Sequence, residues 1–161
     1  MCTASVVEPV TEELAACCAS RRWVEALAGR SYKDVGDLQA ASKRALDALE
    51  WADVEEALAA HPRIGDRVQG GTREAGWSRG EQSGMDGTAA DLQAALVEGN
   101  RAYEEHFGHV FLICASGRSA LEMLGELRER LGNDVETERA AVRRELAKIV
   151  DLRLAKLLEG T

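Results

Sequence analysis

The chain has 161 residues, 45% of them hydrophobic and 30% charged, enough to bury a core without metals or disulfides and too apolar for a disordered tract. Lys and Arg number 20 and Asp and Glu 28, a net charge of −8, which argues against a general nucleic-acid binder because that requires a basic surface. A small anionic substrate stays open, since one buried arginine overrides the overall field locally.

The four cysteines are Cys2, Cys17, Cys18 and Cys114, with one adjacent pair and no CxxC spacing. That is neither a disulfide framework nor a zinc site, and it predicts reduced thiols in a cytosol. Glu8, Glu12 and Glu13 stand where a secretory signal would carry a basic segment and an apolar run. No apolar run approaches the ~20 residues of a membrane span. The chain ends Leu158-Glu159-Gly160-Thr161 without a peroxisomal or retention tripeptide. A cytoplasmic protein with no membrane partner is expected.

Apolar spacing is helical nearly throughout. Thr11 is placed to cap a first helix carrying Leu14, Cys17, Cys18, Val24 and Leu27, with Gly29 ending it. A second helix is predicted from Asp37, with Leu38, Ala41, Ala45 and Leu49 inward. A third has Asp53 as cap, Glu56 three residues on, and Val54, Ala57, Leu58 and His61 as its stripe. Pro62 disfavours helical geometry at His61 and ends it. Residues 63–77 lack periodicity and hold Gly65, Gly70, Gly71 and Gly76, which predicts a long loop of the kind that carries function. Ser78 with Glu81 starts a short helix, and Thr88 restarts a longer one carrying Leu92, Ala95, Leu96 and Tyr103 as far as Gly108. Phe111-Leu112-Ile113-Cys114 fits a strand or a buried helix segment; a lone strand would have no partner, so helix is predicted. Ser119 and Glu122 form a further capping box, followed by Leu121, Leu124, Leu127 and Leu131, with Gly132 and Asn133 closing. A last helix covers residues 135–158. The expected fold class is all-α: a single compact domain over residues 1–161, with roughly seven to nine helices.

Three residues could carry chemistry. His61 lies on an apolar stripe at the mouth of the glycine loop, where it serves either as a core histidine bonded to a carbonyl or as an acid/base poised near neutral pH. Glu81 lies in Ser78-Arg79-Gly80-Glu81-Gln82, where it is a helix cap, a catalytic carboxylate, or both. Arg153 falls on the core face of the last helix with Leu146, Ile149 and Leu157, so its guanidinium pairs with an acid or faces a cavity. A ligand carboxylate or ureido group suits its planar fork. His106 and His109 have H-x-x-H spacing, but Gly108 breaks the helix between them and no further ligand has matching spacing, so no metal is expected. Phosphate-binding glycine motifs are absent.

Together these segments resemble the 2-oxo-4-hydroxy-4-carboxy-5-ureidoimidazoline (OHCU) decarboxylase family. The resemblance rests on His61-Pro62-Arg63-Ile64-Gly65, Ser78-x-x-Glu81-Gln82, Phe107-Gly108-x-x-Phe111-Leu112-Ile113-Cys114-Ala115, Leu131-Gly132-Asn133-Asp134 followed by Glu138, and Leu152-Arg153-Leu154. It covers about residues 22–158. It implies an all-α, cofactor-free homodimer that converts a small-molecule ureide, OHCU, to (S)-allantoin with loss of CO2 in uric-acid degradation. It assigns His61 and Glu81 to catalysis and Arg153 to substrate anchoring. Pro62, Ser78 and Gln82 match substrate-contacting positions, as does backbone near Phe111 and Ile113. The chain departs from the common pattern at His109-Val110, where the family has an aromatic and often a proline, and at Ser31-Tyr32 in place of Pro-Phe. Two other functions compete: a ureido or imidazoline hydrolase of a neighbouring intermediate, and a non-catalytic helical ligand-binding module.

Overall fold

The computed structural model describes residues 6–61 and 90–159. They form α1 (Thr11–Cys17), α2 (Arg21–Leu27), α3 (Val35–Asp47), α4 (Trp51–Leu58), α5 (Ala90–Phe107), α6 (Ala120–Arg130) and α7 (Val135–Glu159). Among the described residues, extended backbone pairs only at one antiparallel bridge, Val7 with Tyr32, so the architecture is all-α. The glycine loop expected over residues 63–77, the helix expected at Ser78 and the restart at Thr88 lie outside the described residues. The chain divides into two compact units, Met1–Ala57 with Ala147–Thr161, and Leu58–Leu146.

In the first unit the predicted first helix is two. Cys18 leaves α1 in an extended conformation, and the buried Ser20 caps α2 by accepting from the Trp23 N–H. One side-chain acceptor inside the apolar run breaks what periodicity alone would continue. Val10, not Thr11, precedes α1, and the Glu13 carboxylate accepts from the Val10 N–H at 3.1 Å. Asp34, not Asp37, caps α3: its carboxylate accepts from the Asp37 N–H at 2.8 Å. Asp53 is likewise inside α4, accepting at 3.0 Å from the Glu50 N–H ahead of it. Each of these helices begins two or three residues earlier than predicted or on a different cap, because several acids compete for the same turn. Gly29, at φ +75°, follows α2 as expected.

Leu14, Trp23, Leu27, Leu38, Leu46, Leu49 and Val54 are buried in this unit. The polar Ser42 on the α3 stripe is buried because it accepts from the Trp23 indole N–H at 3.1 Å, which ties α2 to α3. Gln39 on α3 donates to the Asp151 carbonyl of α7 at 3.1 Å.

In the second unit α5 packs on α6. Their shared core holds Leu96, Tyr103, Phe111, Ile113, Ala120, Met123, Leu124 and Leu127. Gly99 permits the approach: a Cβ there would stand 2.9 Å from Leu127 Cδ2. Gly108, at φ +83°, ends α5 and donates to the Glu104 carbonyl at 2.8 Å. Ser119 and Glu122 form the predicted capping box. Leu121, expected on the α6 stripe, is instead 68% exposed. The inward face runs through Ala120, Met123, Leu124 and Leu127, and Leu121 is turned ~100° from Ala120.

The segment 111–115 is the main departure from expectation. It is neither the predicted buried helix nor a strand, yet all five residues are buried. A buried backbone without helix or ladder needs other partners for its polar groups. Side chains of α6 and α7 supply two such partners.

Candidate active site

His61 follows α4 in a turn, its N–H donating to the Leu58 carbonyl at 3.0 Å. The helix ends at Leu58, three residues before the predicted stop, but His61 continues the buried stripe of Val54, Ala57 and Leu58 and is 9% exposed. It is engaged by other groups of the chain. Burial on this stripe is shared by a core histidine and a positioned acid/base.

Arg153 has no exposed surface, on the face of α7 that also buries Ile149, Val150, Leu154 and Leu157. This is the position the apolar spacing predicts. The residue has interactions within the chain, and a buried guanidinium requires a partner. His61, Phe111 and Ile113 belong to the second unit and Arg153 to the first. Pro62, Ser78, Glu81 and Gln82 lie outside the described residues.

The Phe111 and Ile113 side chains enter the core of the second unit, so what this stretch offers a ligand is backbone. Two of its backbone groups are taken by buried charged side chains. Arg130 of α6 donates from Nη1 to the Leu112 carbonyl at 2.7 Å, and Glu145 of α7 accepts from the Cys114 N–H at 3.1 Å. Among the described residues, no hydrogen bond engages the Leu112 N–H or either backbone group of Ile113.

Arg130 is held by Glu138, with Nη2 at 2.6 Å and Nε at 2.8 Å from the same oxygen. The pair is nearly solvent-free, the side chains 4% and 0% exposed. Tyr103 donates its hydroxyl to Glu138, as does the Asn133 amide, and the Arg130 Cζ sits 4.5 Å from the Phe111 ring centroid. Burial, reinforced by the Glu138 carboxylate, pushes the Tyr103 phenol well above its ordinary range. For Arg130, burial opposes the charge, but the hydrogen bonds and charge of Glu138 outweigh it and raise its pKa. Glu145 also faces Arg118 at 3.3 Å.

Sequence reasoning singled out Arg153 as a charge on the α7 core face but passed over Glu145, and weighed Glu138 only as part of a motif. Glu138, Val142, Glu145, Leu146, Ile149 and Arg153 form one buried stripe. The same signal therefore marked all three charges.

His109 packs edge-on to Tyr103 at 5.5 Å between centroids and stacks on Phe107 at 6.1 Å, with Nδ1 3.1 Å from the Val110 carbonyl. It thus packs as an aromatic ring among Tyr103 and Phe107. An open groove of about 380 Å³, lined by Arg21, Arg22, Glu25, Ala52, Asp53 and Glu56, holds none of the predicted site residues. Arg21 pairs with Glu56 at 3.1 Å and Arg22 with Asp53 at 3.5 Å. With both arginines paired to acids and little apolar lining, it is a poor ligand site. No helix among the described residues is long and apolar enough to cross a membrane.

The model of the OHCU decarboxylase family matches residues 5–155. A 2-oxo-4-hydroxy-4-carboxy-5-ureidoimidazoline decarboxylase of Amia calva is 34% identical over 133 residues, covering 81% of this chain and 76% of that protein. The uric acid degradation bifunctional protein of Arabidopsis thaliana is 44% identical over 107 residues, 63% of this chain but only 32% of that longer protein. Among solved structures, an OHCU decarboxylase crystallised in the presence of (S)-allantoin superposes with a TM-score of 0.81 at 31% identity, covering 92% of this chain and 98% of its own.

Proposed function

The chain belongs to the OHCU decarboxylase family, and from that premise we propose that it converts OHCU to (S)-allantoin and CO2 in uric-acid degradation. The observation that carries this reading is the extent of the family match. Residues 5–155 take in the His61-Pro62 element, the Ser78-to-Gln82 element, segment 111–115 and Arg153 together.

The chemistry asks little of the protein. As the bond from the ring carbon to the carboxylate breaks, its electron pair moves into the ring's own C=N bond. The substrate is its own electron sink, so no organic cofactor or metal is required. The protein must hold the carboxylate out of the ring plane, handle the hydroxyl proton, and let one proton reach a single face of the carbon bearing the ureido group. His61 and Glu81 orient the hydroxyl-carboxylate end and manage that proton. Arg153 grips an oxygen-rich part of the substrate with its fork. Pro62, Ser78 and Gln82 complete the contacts, with the free backbone groups at Leu112 and Ile113 available to substrate oxygens and N–H groups. The enzyme works as a homodimer in the cytoplasm on a small ureide, with neither nucleic acid nor membrane as partner.

The test is to mix the protein with freshly generated OHCU and follow CO2 release together with optical activity. CO2 with an excess of (S)-allantoin above the racemic spontaneous product is expected. Ring opening or ammonia release without CO2 would identify a hydrolase. Binding without any acceleration would identify a ligand-binding module.

A further inference from the structure

We propose that Glu145 is a positioning residue for decarboxylation, acting with the Arg130–Glu138 pair to clamp segment 111–115 so that the backbone of Ile113 is held ready for substrate. The proposal rests on the functional reading above and extends it to residues that contact no substrate.

The two anchors bracket one residue. Arg130 holds the Leu112 carbonyl and Glu145 holds the Cys114 N–H. Ile113 lies between them, with its own N–H and carbonyl unengaged among the described residues. Its side chain is 2% exposed within the core of the second unit, so the peptide is fixed from three directions: two backbone bonds and one packed side chain. A backbone fixed in this way offers a donor and an acceptor in a preset orientation, which suits the alternating carbonyl and N–H groups of a ureide.

The anchors are costly for mere scaffolding. Glu145 is 4% exposed, Glu138 fully buried and Arg130 3% exposed. Buried ion pairs add little stability compared with apolar side chains of the same volume. From Phe111 to Ile113, backbone groups other than the Leu112 carbonyl have no hydrogen bond among the described residues, and Ile113 is the one of these residues with an anchor on each side. Glu138 and Glu145 stand two turns apart on one face of α7, so a single rigid helix carries both carboxylates and keeps their spacing.

The test compares steady-state kinetics on OHCU, with the folded fraction measured by circular dichroism, for three variants of the full chain. Glu145→Ala removes the acceptor for Cys114, and Glu145→Asp keeps the charge beside Arg118 but withdraws it by one methylene. Glu145→Gln keeps the length and an acceptor oxygen without the charge. KM is expected to rise about tenfold in Glu145→Ala and Glu145→Asp, with kcat falling less, and Glu145→Gln should restore KM to within about twofold of the parent. A purely structural role would lower the active fraction and leave the KM of the remaining enzyme unchanged. If Glu145→Ala does not fold, Glu145→Asp against Glu145→Gln carries the same comparison. Unchanged KM in Glu145→Asp, or a Glu145→Gln variant as impaired as it, overturns the positioning role while leaving the decarboxylase reading intact. A parent that does not accelerate OHCU decarboxylation overturns both.

Discussion

Replacing Arg130 by Met should destabilise the second unit far more than the loss of one surface charge would. The guanidinium is the charged partner of a carboxylate with no exposed surface, and it also serves the Leu112 carbonyl. Arg130→Met leaves the buried Glu138 carboxylate without its cation, and removing one partner of a buried pair costs about 3–5 kcal/mol. Glu138→Gln leaves the guanidinium uncompensated at a cost of the same order. The double variant removes both charges. The amide oxygen of Glu138→Gln can still accept from Tyr103 and Asn133, so the main remaining defect is the Leu112 carbonyl, about 1–3 kcal/mol. The double variant should therefore be more stable than either single variant. For a chain of this size each kcal/mol moves the melting temperature by about 2–4 °C, so each single should melt roughly 6–20 °C below the parent and the double should recover much of that. Urea unfolding of the four proteins closes the cycle. Losses that simply add would refute the reasoning, because they would mean that the two charges do not compensate each other.

His61→Asn and Glu81→Gln should each fold with parental melting temperature and lose about 10²–10⁴-fold in decarboxylation rate; a folded, active His61→Asn would make His61 a core residue, and an active Glu81→Gln would leave Glu81 as a helix cap. Arg153→Lys keeps the charge without the fork and should weaken substrate binding with the fold retained; a lower melting temperature with unchanged KM would make Arg153 a structural partner. The chain has two tyrosines; burial is the largest cause raising both Tyr32 and Tyr103. The stability they contribute is thus fully present below the unfolded phenol value of about 10 and is lost as pH rises beyond it. Phenolate absorbance of Tyr103 should appear only together with loss of helical circular dichroism, and phenolate from both tyrosines at pH ~10 in a fully helical protein would contradict the burial of Tyr103.

Local chemistry was legible in the residues. The Ser119–Glu122 capping box, the helix ends at Gly29 and Gly108, and the charge at Arg153 on the buried stripe of α7 each depend on neighbours within a turn or two. The resemblance in short motifs likewise led to the family that the match over residues 5–155 establishes. Competition among nearby acids blurred the starts of α3 and α4, since Asp34 and Asp37, or Glu50 and Asp53, could each cap the same turn. Tertiary structure decided segment 111–115. Its apolar run favours burial equally as helix or strand, and the pattern holds no information on where its backbone bonds go. Those bonds end on Arg130, 18 residues from Leu112, and on Glu145, 31 residues from Cys114. Only the packing of α6 and α7 beside the segment brings such partners within reach. Those distant side chains take over two of the buried polar groups of this irregular backbone, and no local periodicity encodes that exchange.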